Sequence, residues 1–358
     1  MSSASREPAR QDPATWDPAT RFAGRPGFRF GPPERAVEVS SRALMAPMMG
    51  YNEAPLRRIC RRYGSGLAVT EMVKPEKLLR GDPNVLRDLE FADEERPLGV
   101  QIAVRDEEEL LPALELLAPR GFDFVDLNMG CPLKKECNKG WGAALLKDPA
   151  KVARLVAASV AAVDVPVTVK VRTGYELEER TAPEVVEGAI EAGAALVCVH
   201  GRTKMGWYRE ENDLSAIADV VAAARGRVPV IGNGDVVDLD TALAMFEQTG
   251  CDAVMIGRGA VGNPWVFREV DHYLRCGERL ERPDFATVRE LFEEHMEGVA
   301  EIFGERKGFR QVRRYAFYYF GRFGLDNAWR ARAAQAKTRA ELAPLLDEIE
   351  RGQLSAAS

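Results

Sequence analysis

The chain alternates short apolar runs with longer segments whose apolar residues recur at helical spacing. Buried parallel strands read as continuous apolar runs, and eight runs fit that description. They span residues 43–48, 67–70, 98–104, 124–128, 167–171, 196–200, 228–232 and 253–256. The helical segments between them span residues 55–63, 107–117, 149–163, 183–192, 214–224 and 239–248. The pattern predicts an α/β fold with a (β/α)8 TIM barrel; a doubly wound sheet gives similar local patterns and remains the alternative.

The pattern changes on both sides of the barrel. Residues 1–27 are rich in Ser, Ala, Pro, Arg and Asp, which predicts a disordered leader, and they lack the apolar core of a secretory signal. Residues 28–40 hold a Gly-Pro-Pro turn between two extended pieces and predict a hairpin that closes the barrel floor. Only helical patterns follow, at residues 266–276, 285–303, 308–320 and 339–351. We expect a barrel domain, a smaller all-helical domain and a tail, at residues 28–281, 282–352 and 353–358.

The composition, 46% hydrophobic and 29% charged over 358 residues, is typical of a globular protein. No apolar stretch approaches the ~20 residues that cross a bilayer, so no membrane role is expected. Six cysteines without paired spacing favour free thiols in a reducing cytoplasm. Three histidines and no CxxC pair offer too few ligands for a tetrahedral zinc site, so no metal is expected. The sequence does not determine the oligomeric state, and a monomer is favoured.

The charge of the chain is unevenly distributed. Residues 306–339 contain ten Lys or Arg against Asp326 alone, a balance of +9 that leaves −15 for the rest of a chain whose net charge is −6. An acidic body with one strongly basic segment favours binding of a polyanion by that segment. The alternative interpretation is a solvated helix face.

Polar and glycine-rich residues follow the predicted strand ends, which all open on one face of a barrel. Two glycine-rich turns, Gly232-Asn233-Gly234-Asp235 and Gly257-Arg258-Gly259, follow the seventh and eighth strands. At this position in barrels, backbone amides and a helix start bind phosphate, and Arg258 adds positive charge. The two turns predict a phosphorylated cofactor, whereas either turn alone would be typical of a tight bend.

The fourth strand ends at Asn128-Met129-Gly130-Cys131-Pro132. This stretch places an amide, a flexible turn, a thiol and a rigid bend at a strand end, where barrel enzymes keep their chemistry. We interpret it as the reaction centre. Cys137 lies six residues further on and is the competing thiol. Isolated cysteines are usually small buried residues, and we interpret the other four in this way: Cys60, Cys198, Cys251 and Cys276.

Ten motifs occur in one fixed order across residues 42–267. They are Met45-Ala46-Pro47-Met48, Thr70-Glu71-Met72-Val73, Val100-Gln101-Ile102, Asn128-Met129-Gly130-Cys131-Pro132, Gly142-Ala143-Ala144-Leu145-Leu146, Val167-Thr168-Val169-Lys170-Val171-Arg172-Thr173-Gly174, Val199-His200-Gly201-Arg202-Thr203, Gly232-Asn233-Gly234-Asp235, Met255-Ile256-Gly257-Arg258 and Gly262-Asn263-Pro264-Trp265. In this series the chain resembles the bacterial tRNA-dihydrouridine synthases, flavin enzymes that reduce uridine in folded tRNA.

The resemblance implies FMN at the barrel mouth, re-reduced by NADPH in a ping-pong cycle. It places Lys170 beside the N1 and O2 edge of the flavin, where a cation stabilises the anionic reduced form. The other residues implied to contact the cofactor are Pro47, Met48, Met49, Gln101, His200, Asn233, Gly234, Asp235, Gly257 and Arg258.

The resemblance also implies how uridine is reduced. Hydride adds at C6 of the uracil and Cys131 protonates C5 from the opposite side; a free thiol, with a pKa of ~8.5, is largely protonated at neutral pH. Asn128 and Arg172 would hold the base edge, and Tyr208 would pack against the extruded base. Extrusion from the stack costs a few kcal/mol, which a basic domain that binds phosphates can offset.

The arginines implied to bind tRNA lie in the helical domain. Arg306, Arg310, Arg313 and Arg314 recur at helical spacing and are predicted to share a face. Where the family has Arg-Lys-His-x-x-Trp-Tyr, this chain reads Arg313-Arg314-Tyr315-Ala316-Phe317-Tyr318-Tyr319. Charge is retained while His and Trp become Tyr. The aromatic run is interpreted as core.

Two other functions remain open from the sequence. One is a flavin-dependent dehydrogenase acting on a free pyrimidine, of the dihydroorotate type, which would not need the basic domain. The other is an RNA-binding or RNA-folding factor without catalysis, against which Cys131, Lys170 and the phosphate turns argue. The sequence does not identify the target uridine, nor whether the RNA is tRNA or ribosomal RNA.

Overall fold

A computed structural model describes residues 18–207 and 209–357 of the chain. Two antiparallel strands precede eight strands that pair in parallel. The strands are β1 Phe28–Phe30, β2 Val37–Val39, β3 Ala43–Met45, β4 Ala68–Val69, β5 Leu98–Ala103, β6 Phe124–Met129, β7 Val167–Arg172, β8 Leu196–His200, β9 Val230–Asn233 and β10 Ala253–Ile256.

The eight parallel strands form a closed barrel. They pair in the order β3, β10, β9, β8, β7, β6, β5, β4. The two ends of this row are joined by backbone hydrogen bonds, from Met45 N to Leu67 O at 3.1 Å and from Gly66 N to Ala43 O at 2.8 Å. Closure confirms the predicted barrel and excludes the doubly wound alternative.

Helices surround the barrel and then form a separate layer. They are α1 Pro18–Phe22, α2 Ala54–Arg62, α3 Pro75–Leu79, α4 Pro83–Asp88, α5 Glu107–Leu117, α6 Lys134–Cys137, α7 Pro149–Ala162, α8 Ala182–Glu191, α9 Leu214–Ala224, α10 Leu239–Thr249, α11 Trp265–Cys276, α12 Phe285–Phe303, α13 Glu305–Val312, α14 Ala316–Tyr319, α15 Asn327–Gln335 and α16 Arg339–Ala357. Asp106 and Asp213 begin α5 and α9 by accepting a hydrogen bond from a first-turn amide, as N-cap carboxylates do. Within the described ranges, no helix has an apolar stretch long enough to span a bilayer.

The predicted hairpin is confirmed and closes the barrel floor. Phe28 pairs with Val39 in the antiparallel ladder of β1 and β2. Phe30 is buried and packs edge-on against Phe124 of the barrel interior, with ring centroids 5.3 Å apart. The hairpin side chains share one apolar cluster with the inward-facing residues of the barrel strands. The floor is therefore sealed, and polar chemistry is left to the opposite end.

The prediction of a disordered leader is wrong from residue 18 onward. Phe22 is buried against Phe246, with ring centroids 5.3 Å apart. Arg21 donates hydrogen bonds to Gly250 O at 3.0 Å and to Cys251 O at 3.1 Å. These contacts hold α1 against the end of α10, so residues 18–27 belong to the fold. The prediction for residues 1–17 lies outside the described part of the chain.

The helical layer is joined to the barrel by a buried polar group of residues. His295 Nε2 of α12 lies 2.7 Å from Glu53 Oε1, in the loop that begins α2. Tyr315 donates a hydrogen bond to the second oxygen of Glu53 at 3.0 Å, and its ring stacks on His295 at 5.0 Å. Burial alone would raise the pKa of Glu53, but the hydrogen bond and charge of His295 bring this pKa below the ordinary value. The pair therefore supports an ionised carboxylate at the domain boundary.

A second close contact lies beside this boundary. Gly262 has φ of +67°, and a Cβ built there would lie 2.4 Å from Tyr319 N. Only glycine lets the end of the barrel approach α14 so closely. Tyr319 itself is buried and hydrogen-bonded to His295 at 3.1 Å. The two domains therefore meet over a packed interface in which backbone and polar side chains are both fixed.

We expect His295→Leu to lower the free energy of unfolding by about 3 kcal/mol, because it removes the partner of Glu53 Oε1 and leaves this buried carboxylate with the hydrogen bond from Tyr315. Chemical denaturation of the purified protein measures the change. His272→Leu is the matched control, because His272 is partly exposed and lies outside the domain boundary. An equal loss in both variants would contradict the assignment of a stabilising role to the His295 contact.

Candidate active site

The parallel register brings the polar residues of neighbouring strand ends together at the barrel mouth. Asn128 of β6 pairs with Lys170 of β7. Arg172 of β7 pairs with His200 of β8, which in turn pairs with Asn233 of β9. Five polar side chains from the four neighbouring strands β6 to β9 therefore lie together at the mouth, as the positions of the predicted strand ends indicate.

The loop that carries Cys131 is fixed by its own backbone. Cys131 N donates to Asn128 Oδ1 at 2.9 Å, and Cys137 Sγ donates to Cys131 O at 3.4 Å. Gly142 has φ of +60°, and a Cβ there would lie 2.8 Å from the Cβ of Cys131. The second thiol and the glycine thus hold the loop from both sides, so Cys137 supports the position of Cys131.

Cys131 keeps its proton more tightly than a free thiol. Burial is the main cause that raises its pKa, and the neighbouring Cys137 and Glu136 add to the effect. Cys137 has a raised pKa for the same main reason. All six cysteines are free thiols. Cys60, Cys198 and Cys251 are buried as predicted, whereas Cys276 is exposed, so the interpretation of Cys276 as a small buried residue is wrong.

Lys170 and the first glycine-rich turn are joined by hydrogen bonds. Lys170 Nζ donates to Asn233 Oδ1 at 2.8 Å, and Asn233 Nδ2 donates to Met255 O at 2.7 Å. The next two residues, Gly234 and Asp235, have φ of +118° and +51°. This left-handed pair turns the backbone sharply at the strand end, which is a geometry that presents successive amides to an anion.

Asp235 is held between two arginines. Arg202 binds both carboxylate oxygens, one of them at 2.9 Å, and Arg258 Nη2 lies 3.5 Å from Oδ1. Arg202 is nearly buried, whereas the Arg258 side chain is 61% exposed. The ion pair therefore anchors the first turn through Arg202, and Arg258 of the second turn remains open to solvent beside it.

Positive charge dominates the mouth around His200. Burial lowers the pKa of His200 well below its ordinary value, and four cationic side chains lower it further: Arg172, Lys170, Arg202 and Arg258. The imidazole is therefore neutral at neutral pH. Cations that depress the pKa of a histidine in this way also attract an anion to the same place. This donor set, with the adjoining glycine turns, fits a phosphorylated cofactor.

Arg172 joins two loops of the mouth, whereas Met48 and Met49 follow β3. Arg172 donates from Nε to Gly130 O at 3.0 Å and from Nη1 to Thr203 O at 2.9 Å, which ties the Cys131 loop to the loop after β8. Met48 lies half-buried near Gly257, and Met49 is 55% exposed at the rim. Tyr208 lies outside the described residues.

The predicted RNA-contacting arginines do not share one face. Arg310 and Arg314 line a groove of about 640 Å³ between the two domains, with the Arg314 guanidinium 4.2 Å above the Tyr51 ring. Arg313 instead donates to Ala336 O, and Arg306 is exposed outside the groove. The groove residues Lys307, Arg310, Gln311 and Arg314 follow one helix face at a spacing of three or four residues. At about 100° per residue, Arg306 and Arg313 fall to one side of that face. The charged residues that line the groove are Glu53, Arg57, Glu71, Arg87, Asp88, Glu90, Lys307, Arg310 and Arg314.

One group of three side chains with metal-ligand chemistry occurs in the described ranges, and it lies away from the barrel mouth. It consists of His272, Cys276 and Glu278 at the end of α11. Cys276 Sγ donates to His272 O at 3.1 Å, a bond common for a thiol at this helical spacing. The group is exposed and shares no residue with the predicted site.

Sequence reasoning overlooked two residues of the site. Asp126 lies in the reaction-centre strand, and its buried carboxylate accepts hydrogen bonds from Gln101 and Thr168. Arg202 stood within a recognised motif but received no role. The signal for Asp126 was a charged residue inside an apolar strand, because a buried carboxyl group is rare and needs hydrogen-bond partners.

Together, fold and site define a parallel α/β barrel whose mouth gathers a partly buried thiol, a lysine and two glycine-rich turns. The family model described as "Dihydrouridine synthase (Dus)" matches residues 44–354. The chain therefore belongs to the dihydrouridine synthase family.

Curated relatives agree with this assignment. The chain is 40% identical over 281 residues to tRNA-dihydrouridine synthase B of Xanthomonas campestris pv. campestris, covering 78% of this chain and 84% of the relative. The protein of the same name from Pseudomonas aeruginosa is 40% identical over 291 residues, covering 81% and 86%. The one from Shewanella oneidensis is 36% identical over 313 residues, covering 87% and 95%.

Among solved structures, histamine dehydrogenase from Rhizobium sp. 4-9 superposes with a TM-score of 0.53 at 14% identity. The match covers 81% of this chain and 50% of that chain, so half of the larger protein has no counterpart here. At this identity the likeness shows a shared barrel fold.

We expect the alkylation rate of Cys131 to rise with pH at an inflection above ~8.5, the pKa of a free cysteine, because burial keeps the thiol protonated. Iodoacetamide labelling resolved by peptide mass spectrometry measures the rate at Cys131, with free cysteine labelled in parallel. An inflection at or below that of free cysteine would contradict the assignment of Cys131 as a protonated thiol at neutral pH.

Proposed function

We propose that this protein reduces uridine to 5,6-dihydrouridine in tRNA, with FMN bound at the barrel mouth and NADPH as the reductant. The observation that carries the proposal is the partly buried thiol of Cys131 just after the strand in which Asn128 pairs with Lys170, at the mouth that also holds the two glycine-rich turns, in a chain of the dihydrouridine synthase family. Free thiols at all six cysteines support a reducing, cytoplasmic setting.

The donor set supports FMN as the phosphorylated group. The turns at Gly234–Asp235 and Gly257–Arg258 would hold its phosphate, with Arg258 as the exposed cation. Lys170 and the neutral His200 would lie beside the ring, and Pro47, Met48, Met49 and Gln101 would line it. FMN supplies hydride chemistry, and a neighbouring cation favours its anionic reduced form. Lys170, already oriented by Asn233, is the residue placed to provide that charge.

Cys131 would protonate C5 of the uracil. A general acid needs a proton at working pH and a fixed position, and Cys131 has both: burial raises its pKa, while Asn128, Cys137 and Arg172 fix its loop. Asn128 would also hold the base edge. Arg172 contacts loop carbonyls, so its contribution to base binding would act through the position of Gly130 as well as by direct contact. The proposed contact of Tyr208 with the extruded base rests on the family resemblance alone.

The helical domain, residues 282–352, would bind the tRNA backbone. Lys307, Arg310 and Arg314 line the groove beside the loop that follows β3, on the approach to the mouth. Arg314 also donates to Gly50 O, so it links the phosphate-binding surface to the rim of the site. Binding energy of this kind would offset the cost of extruding a base from its stack.

We expect Cys131→Ala to abolish dihydrouridine formation in tRNA while the purified protein stays yellow, because the acid is lost and the cofactor contacts are untouched. Mass spectrometry of tRNA nucleosides measures the product, and the visible absorption spectrum measures bound flavin. Cys137→Ala is the matched control: it removes a thiol that supports the same loop but does not supply the proton, so it should lower product formation without abolishing it.

Two outcomes would contradict this assignment. If Cys137→Ala loses the product and Cys131→Ala keeps it, the acid has been assigned to the wrong thiol. If the wild-type protein is colourless and takes up no FMN on reconstitution, the cofactor assignment fails.

We expect the double variant Lys307→Gln, Arg310→Gln to weaken tRNA binding and to reduce the slope of log affinity against log salt by about 2, or about one per lost phosphate contact. Titrations at several salt concentrations measure the slope. Arg306→Gln is the control, because Arg306 is exposed on the same helix but lies outside the groove. A slope changed equally by the control would remove the groove as the docking surface.

A further inference from the structure

A continuous line of hydrogen bonds runs from the barrel interior to the Cys131 loop. The buried Asp126 accepts from Gln101 Nε2 at 2.7 Å. Gln101, 2% exposed, accepts at Oε1 from Asn128 Nδ2 at 2.8 Å. Asn128 Oδ1 then accepts from the backbone N–H groups of Cys131 at 2.9 Å and Gly130 at 3.3 Å.

The direction of every bond in this line is determined. A side-chain amide has two orientations that look alike in coordinates, so only its partners can choose between them. At the loop end the partners are backbone N–H groups, which only donate, so Asn128 must turn its oxygen toward them. Its NH2 group then faces Gln101, whose oxygen must accept, and the NH2 group of Gln101 is left pointing at Asp126. Asp126 is the acceptor that completes the line.

We propose that Asp126 is a positioning residue for the reaction, which acts through Gln101 to set the amide orientation of Asn128 and, with it, the place of Cys131. Of the three side chains in this line, Asn128 is the one that hydrogen-bonds the Cys131 loop. The inference rests on the proposed function, because positioning has meaning only if Cys131 protonates a base.

The fixed orientation also determines what Asn128 offers to a substrate. Its oxygen is taken by two backbone donors, and one of its two N–H groups is taken by Gln101. The second N–H remains as a donor at the partly exposed strand end. A donor that faces position 4 of the base binds the O4 carbonyl of uracil and repels the amino group that cytosine carries there. Asp126 therefore contributes to the choice of uracil, although it lies behind Asn128 in the barrel.

An alternative role for Asp126 is structural, as one member of a satisfied buried polar group. Thr168 allows the two roles to be separated. Thr168 Oγ1 donates to the other oxygen of Asp126 at 2.7 Å and is equally buried, but it lies outside the line to Asn128. Loss of the Gln101 bond and loss of the Thr168 bond each remove one buried hydrogen bond of Asp126, but only loss of the Gln101 bond disturbs the orientation of Asn128.

The test compares Asp126→Leu, Asp126→Asn and Thr168→Val in the full-length protein. The first readout is the iodoacetamide labelling rate of Cys131, with the exposed Cys276 of the same molecule as internal reference. We expect Asp126→Leu to raise the Cys131 rate about tenfold, because the loop loses its hydrogen-bonded support. Asp126→Asn keeps an acceptor for Gln101 and should stay within about twofold of wild type, as should Thr168→Val.

The second readout is the kinetics of dihydrouridine formation in tRNA. Asp126→Leu should lower kcat about tenfold and leave the KM for tRNA within about twofold, because the groove contacts are untouched. Asp126→Asn should rescue kcat. The positioning role would be overturned if Asp126→Leu kept the wild-type labelling rate and kcat, or if Thr168→Val changed both by the same factors as Asp126→Leu. If Asp126→Leu does not fold, Gln101→Met cuts the same line, and an unchanged Cys131 labelling rate in that variant overturns the inference.

The two readouts separate this inference from the proposed function. Labelling of Cys131 needs neither tRNA nor turnover. If labelling changes as expected while the wild-type protein forms no dihydrouridine, the proposed function fails and the line of hydrogen bonds stands. If the wild type is active and labelling does not change, the positioning role of Asp126 fails alone.

Discussion

Closure of the barrel by the hydrogen bonds between β3 and β4 is the constraint on which the rest of the molecule depends. A closed ring of parallel strands has one carboxyl-terminal end, so every residue that follows a strand opens on the same mouth. The register then sets the height of each side chain, which is why Asn128 stands beside Lys170 and Arg172 beside His200. With the hairpin of β1 and β2 packed into the other end, polar groups can gather only at this mouth.

Strongly periodic segments were predictable from sequence, and segments that depend on distant partners were not. The observed bounds of β8, β10, α5, α9 and α12 equal the predicted ones, because apolar spacing and an N-cap residue define them locally. The five-residue α1 was read as disordered leader, since its partners Gly250 and Cys251 lie about 230 residues away. α15 was overlooked because it buries only Trp329 and Ala333, too few positions to form an apolar stripe.

The site shows a similar division. Motif order identified which residues come to the mouth, because a barrel turns strand order into position around a ring. It did not identify what each side chain contacts. Helical spacing grouped Arg306, Arg310, Arg313 and Arg314, yet only Arg310 and Arg314 line the groove, because the packed face runs through positions 307, 310, 311 and 314 and leaves Arg306 and Arg313 to one side. Arg172 was expected at the base edge, and its guanidinium donates to three loop carbonyls, those of Gly130, Thr203 and Trp207.

The contact between domains combines polar specificity with apolar packing. A buried ion pair or hydrogen-bonded group adds little net stability over apolar residues of the same size, because removing its charges from water offsets much of the gain. Through His295 and Tyr315, Glu53 instead fixes the orientation of the helical domain on the barrel. Each hydrogen bond has one favourable geometry, whereas apolar surfaces can slide past one another. Glu53 lies a few residues after Met48, so the same bonds that orient the helical domain also orient the rim of the barrel mouth. The proposed function requires a surface that binds an RNA backbone and a mouth that receives one base at a fixed separation, and this buried group would supply it.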